Sequence, residues 1–326
     1  MVHAETVTGT PREGGASEAA VDVVFVGGMP RSGSTLLDLL IGQLPGHCDV
    51  GELFYLWQGG VKRDQRCSCG ALFSECDFWI RVGEHAFGGW DRVDVDEVLR
   101  LQAQVDSTAR QLVGPLARLS RRRRERTERY LELTRAVYRA VAAVSGAGIV
   151  VDSTKRPSTA ALLARDPGVR LRIVHMVRDP RGVLNSWSRE VPLPENSGPR
   201  SHLKKRPARQ ILRRWWSVNL MIDRLGRRGV PLLRLRYEDM VSDPREAMRA
   251  VMRLSGREAT DEDLAFIGPD GVDRAVSHTP TGGRVRFSTG PMPLRLDEKW
   301  RTELPASRQR LTVLACGPLM RRYGYR

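Results

Sequence analysis

Gly28-Met29-Pro30-Arg31-Ser32-Gly33-Ser34-Thr35 decides how this chain is read. Before it, Val21 to Val26 is a short apolar run of the kind that forms a strand buried on both faces. After it, Leu36 to Leu44 carries apolar residues at the spacing of a helix packed on that strand. Strand, glycine-rich turn and helix together make an anion site. The N–H groups of the turn converge, and the helix N-terminus adds positive potential. The spacing Gly28-x4-Gly33 followed by Ser34-Thr35 differs by one residue from the nucleoside-triphosphate loop, which needs Lys where Ser34 stands. Without that Lys a magnesium-bound triphosphate is poorly held, so an ordinary ATPase or kinase falls in rank. Arg31 supplies a cation from within the turn.

The 326 residues suffice for a large core, and a formal charge of +15 favours anionic partners of any class. Arg121 to Arg124 reads as a solvated helix face, because no aromatic interleaving or nucleic-acid module accompanies it. No nucleic-acid partner is therefore expected. Met1 to Ala20 lacks the basic start and apolar core of a secretory leader. No apolar run approaches the ~20 residues of a membrane span. The expectation is a cytoplasmic chain with no membrane span, a compartment that disfavours disulfides.

Residues 1–20 read as a disordered tail and 21–326 as a single domain. Further strands are expected at Ile149 to Val151, Leu171 to Val177 and Val230 to Arg236, with helical periodicity from Val93 to Val144 and closing helices at Arg213 to Arg227 and Leu311 to Arg322. This predicts an α/β fold in three layers around a mostly parallel sheet of four to five strands, with a helical insertion at about 90–145. Ligands of such sheets bind beyond the carboxyl ends of the strands.

Candidate chemistry falls at those ends. Glu52 lies in an otherwise apolar stretch, Val50 to Trp57; it is either a first-turn acid of a helix or a general base, whose pKa an apolar pocket would raise. Lys155, in Asp152-Ser153-Thr154-Lys155-Arg156-Pro157, could neutralise a leaving phosphate or simply cap a turn. Arg178 at a strand end and Ser186, two turns into the next helix, can converge on one phosphate. His278 is an alternative base or a supporting group. Residues 190–210 read as a mobile segment over the crevice. Cys67, Cys69 and Cys76 could bind zinc, form a disulfide or stay free. A fourth metal ligand is missing nearby, with His47, Cys48 and His85 the available candidates, and no metal site is assigned.

Pro30-Arg31-Ser32-Gly33-Ser34-Thr35-Leu36 resembles the 5′-phosphosulfate loop of sulfotransferases that use 3′-phosphoadenosine-5′-phosphosulfate (PAPS). It is nearer to the bacterial and tyrosylprotein enzymes than to the cytosolic aryl enzymes. The resemblance implies a P-loop-type domain in which Arg31, Ser32, Gly33, Ser34 and Thr35 hold the 5′-phosphate. It makes Glu52 the base, and Lys155 and Arg31 the groups that stabilise the leaving phosphate and sulfuryl oxygens. Arg178 and Ser186 would bind the 3′-phosphate, and Tyr237, in Tyr237-Glu238-Asp239, would lie near the adenine. Arg286 aligns with a family Arg reaching the 3′-phosphate, and Arg284 is an extra candidate. The chain has Gly283-Arg284 where the relatives have Asn-Pro. The implied reaction moves a sulfuryl group from PAPS to an acceptor hydroxyl of a carbohydrate, lipid or other natural product, with no metal required. The alternatives are a P-loop small-molecule kinase and a non-catalytic basic nucleic-acid-binding protein.

Overall fold

A computed structural model describes residues 6–7, 19–107, 120–189, 191–192, 202–203 and 206–326. The apolar run after the tail forms β2 (Val21–Gly28), the interior of a six-stranded sheet. The other members are β1 (Thr6–Val7), β3 (His47–Asp49), β4 (Ile149–Lys155), β5 (Val169–Val177) and β8 (Leu232–Arg236), in the order β1-β8-β5-β2-β4-β3. All pairings are parallel except β1 with β8, where Thr6 faces Leu233 and Val7 faces Leu232. Val23, Val24, Phe25 and Val26 are all fully buried. Strand alternation divides them: Val23 and Phe25 enter one core cluster, Val24 and Val26 the other. Each such side chain contributes about 1.5–3 kcal/mol of burial.

The second cluster packs β2 against α1 (Ser34–Ile41), through Leu37, Leu40 and Ile41, and against α8 (Pro244–Leu254), through Met248 and Val251. The first cluster takes in α2 (Asp77–Phe87), α3 (Val95–Val105), α4 (Arg121–Ser145), α5 (Pro157–Leu163), α6 (Pro180–Ser188) and α7 (Ala208–Gly226). Sheet between two helical layers is the α/β architecture expected. The helical insertion begins earlier than about residue 90, at Asp77, and its segment 108–119 lies outside the described residues.

Three elements depart from the sequence reading. β4 continues past Val151 through Asp152-Ser153-Thr154-Lys155, because its buried polar groups find partners: Asp152 accepts from Tyr138 Oη at 2.6 Å, from Thr154 N at 2.8 Å and from Leu53 N at 3.3 Å. β3 is a short polar edge strand with no alternation to announce it. Thr6–Val7, within the expected disordered tail, satisfies the free edge of β8. Of the expected mobile segment at 190–210, β6 (Val191–Pro192) and β7 (His202–Leu203) pair antiparallel and α7 starts at Ala208; residues 190, 193–201 and 204–205 lie outside the described ones.

Near the C-terminus, α9 (Ala306–Arg322) is followed by Tyr323, which donates a hydrogen bond to buried Asp223 at 2.9 Å. Burial alone would raise the Asp223 carboxyl, but His175, Arg234 and Tyr323 more than offset this and hold it well below the usual range. A depressed folded pKa gives stability that is present above the ordinary Asp value near ~4 and is lost as pH falls toward the folded value. Asp223→Asn, by breaking this buried cluster, is expected to cost about 3–5 kcal/mol at neutral pH and to make acid unfolding shallower. Thermal melts across pH check both.

Candidate active site

The turn after β2 requires its glycines. A Cβ on Gly28 (φ 154°) would lie 2.3 Å from the Met176 carbonyl oxygen, and one on Gly33 (φ 86°) 2.6 Å from the Tyr237 ring. Arg31 also takes a positive φ, 76°. Gly33 caps α1 without a side-chain hydrogen bond, so the first amides of the helix face outward with no partner supplied by a cap. Ser32 Oγ and Arg31 Nη2 are buried with no hydrogen-bond partner. Orphaned donors of this kind, at the start of a helix, fit an anion. Burial lowers the Arg31 pKa, but a guanidinium remains cationic at neutral pH.

Four more sequence-predicted residues stand just beyond the carboxyl ends of parallel strands or at their last position. Lys155 closes β4 with φ 67°. Its Nζ lies 2.8 Å from Glu52 Oε1, which follows β3, and 3.0 Å from the Ser153 carbonyl. Glu52 does not sit in the apolar pocket expected of it: its carboxylate faces the Lys155 ammonium and the field of Arg286. Its backbone is fixed by Thr281, whose Oγ1 donates to the Glu52 carbonyl at 2.7 Å.

Arg178 follows β5 and is bound to the loop itself, donating from Nη1 to the Arg31 carbonyl at 3.0 Å. Its Nη2 donates to Asp297, at 2.9 Å to the carbonyl and 3.0 Å to Oδ2. Trp215 Nε1 donates to the Arg178 carbonyl at 3.1 Å. Tyr237, directly after β8, is buried between Gly33 and the Arg178 guanidinium, which lies 4.3 Å from the ring centroid. Its Oη accepts from Asp297 N. The ring therefore braces the loop, with its surface already occupied by protein. Ser186 is half-buried on α6, and the next residue, Trp187, donates to the Pro30 carbonyl at 3.3 Å, which docks that helix on the loop.

Arg286 is buried, held by backbone carbonyls and in the field of Glu52. Its guanidinium donates to the carbonyls of Gly282 at 2.7 Å and Arg66 at 3.1 Å, and burial lowers its pKa to about 10 against the opposing pull of Cys67 and Glu52. It belongs with Glu52. The Arg284 side chain lies outside the described ones; Gly283 rests on Thr35, where a Cβ would be 3.3 Å from Oγ1. His278 turns its Nδ1 to Cys76 Sγ at 3.3 Å and Cys67 Sγ at 3.9 Å, which engages that nitrogen with the cysteine cluster.

Sequence reasoning missed Asp38 and Asp49, buried together behind the loop. Desolvation pushes both carboxyls up, and their proximity adds to the rise at Asp38. It also missed Asp297. A lone acid in a helix, a short edge strand or a loop carries no signal that would have singled out any of the three.

The model of the sulfotransferase family matches residues 23–261, well over half of the chain. Carbohydrate sulfotransferase 3 of Homo sapiens is 28% identical over 180 residues, covering 50% of this chain and 35% of the relative. Carbohydrate sulfotransferase 6 of Homo sapiens is 27% identical over 179 residues, covering 50% and 44%. The match thus spans less than half the length of these curated relatives. Among solved structures, the sulfotransferase domain from the Synechococcus PCC 7002 olefin synthase is 19% identical, covering 95% of this chain and 98% of that one, with a TM-score of 0.47. No helix of the described residues is long and apolar enough to cross a membrane. The chain belongs to the sulfotransferase family, whose members are enzymes that transfer sulfuryl groups.

Proposed function

We propose that the chain transfers the sulfuryl group of PAPS to an acceptor hydroxyl and releases adenosine 3′,5′-bisphosphate. The observation that carries this reading is the gathering of the anion loop, Glu52, Lys155 and Arg178 at one edge of the sheet, with Arg178 bonded to the loop carbonyl. An Arg bonded to the loop at a neighbouring strand end suits a second phosphate held apart from the one in the loop, as a 3′-phosphate is.

The 5′-phosphate lies on the amides of Ser32 to Thr35 and on Arg31, and the 3′-phosphate on Arg178 and Ser186. The acceptor oxygen attacks sulfur in line with the bridging oxygen. Its proton passes to the Glu52 carboxylate, the S–O bridge breaks, and the electron pair leaves on the 5′-phosphate. Lys155, now paired with Glu52 at 2.8 Å, supplies the cation that stabilises the charge developing there. This division of labour asks for no metal at the reacting atoms.

Tyr55 is exposed three residues from Glu52, and Arg214 beside it has its pKa lowered by burial and then by Arg206 and Arg156. Guanidiniums gathered around such a position favour an acceptor with negative charge, and the carbohydrate sulfotransferases among the relatives favour a saccharide. The test is transfer from radiolabelled PAPS, without magnesium, to a panel of neutral and uronate-bearing saccharides and phenols. Label transferred to a hydroxyl supports the proposal. No transfer to any acceptor, with phosphoryl transfer from magnesium ATP instead, would establish the kinase alternative.

A further inference from the structure

Cys67, Cys69, Cys76 and His278 place their three sulfurs and one ring nitrogen all within 4.8 Å of one another. We propose that these four residues bind a structural zinc ion that locks the 278–283 segment, which touches Glu52 and Thr35, to the turn at 67–76.

A tetrahedral ion with Zn–S of about 2.3 Å and Zn–N of about 2.0–2.1 Å requires S···S edges of about 3.8 Å and S···N edges of about 3.5 Å. The structure has Cys69 Sγ to Cys76 Sγ at 3.7 Å, Cys76 Sγ to His278 Nδ1 at 3.3 Å and Cys67 Sγ to His278 Nδ1 at 3.9 Å. All five cysteines of the chain are free thiols. Cys67 and Cys76 are buried, which leaves the closed surroundings of a structural site rather than the open position of a catalytic one. The fourth ligand is none of the sequence candidates His47, Cys48 and His85. It comes from 202 positions beyond Cys76.

The protein holds each ligand in place. The Cys67 N–H donates to the Ala71 carbonyl and the Gly70 N–H to the Cys67 carbonyl, forming a tight turn around Cys69. Cys76 precedes α2 at its N-terminus. The His278 ring stacks on Phe78 at 4.9 Å and 12°, and its carbonyl accepts from Trp79 Nε1 at 2.8 Å. Ser68 pairs the same two segments through Thr279 and Ser277. Three thiolates and one neutral imidazole leave the zinc complex with one negative charge, and the Arg286 guanidinium, bonded to the Arg66 carbonyl, provides the nearby positive one. Zinc displaces the thiol protons as it binds.

Function is reached through the backbone. Thr281, three residues after His278, holds the Glu52 carbonyl, and Gly283 rests on Thr35 of the anion loop. The ion is thus a positioning element, distinct from the reacting atoms, and the metal-free reading of the sequence holds at most for the chemistry.

The test uses the full chain, reduced and stripped of metal under anaerobic conditions, titrated with cobalt and then zinc. The expected result is one equivalent of cobalt with the intense visible bands of a tetrahedral ion and a thiolate charge-transfer band, bleached by one equivalent of zinc, with a rise in Tm. His278→Ala should weaken zinc by more than the roughly 10–100-fold typical of an outer-shell partner. Cys69→Ser, at the more exposed ligand, should do likewise, while Cys48→Ser keeps full binding. Reduced wild-type chain that takes up no ion would overturn the proposal. So would a cobalt spectrum unchanged in both ligand variants, or a disulfide among these three cysteines in the native chain.

Discussion

Glu52→Gln is expected to lower kcat by about 10²–10⁴-fold while leaving the affinity for adenosine 3′,5′-bisphosphate unchanged. The amide keeps the shape of the carboxylate and an oxygen that can accept from Lys155 at the 2.8 Å contact. Its backbone bonds to Thr281 do not involve the side chain. What it loses is the capacity to take a proton from an attacking hydroxyl. Steady-state rates with saturating PAPS, beside calorimetric titration of the product nucleotide, separate the two effects. A variant with normal kcat would remove Glu52 from the chemistry. His278, the other base considered, turns its Nδ1 into the cysteine cluster.

Arg178→Ala is expected to weaken adenosine 3′,5′-bisphosphate binding by about 2–5 kcal/mol, and to leave ADP, which has no 3′-phosphate, far less affected. The guanidinium is nearly buried, stacked on Tyr237 and bonded to the Arg31 carbonyl, so a phosphate there receives charge-assisted bonds in a desolvated place. Asp297 now holds its Nη2 at 3.0 Å and must give way to a phosphate. Asp297→Asn should therefore tighten the bisphosphate severalfold, and Arg178→Lys should restore only part of the loss, since a point charge does not reproduce the fork. Equal losses for bisphosphate and ADP would mean that Arg178 merely supports the loop.

The loop and the central strand were legible because their signals are local: a continuous apolar run, two glycines at fixed spacing and a helix start. Arg178 and Lys155 were legible because strand ends in a parallel sheet converge on one crevice. What escaped depends on distance along the chain. His278 completes a cluster begun at Cys67, and no spacing rule joins positions so far apart. β4 ran on through Asp152 to Lys155 because Tyr138, on a helix of the insertion, satisfies the buried carboxylate. Arg286 spends its guanidinium on the carbonyls of Gly282 and Arg66, a pairing that no local pattern in the sequence announces. Tyr237 was correctly placed after its strand, but contact with Gly33 gives its ring a supporting role that the sequence could not distinguish from an adenine contact.

The most direct test of the nucleotide site is calorimetric titration of the wild-type chain with adenosine 3′,5′-bisphosphate, with ADP, and with ATP plus magnesium. The account predicts that the bisphosphate binds at least about tenfold tighter than either, a difference of about 1.4 kcal/mol or more, with no dependence on magnesium. Equal or tighter binding of magnesium ATP would contradict it and return the loop to a kinase.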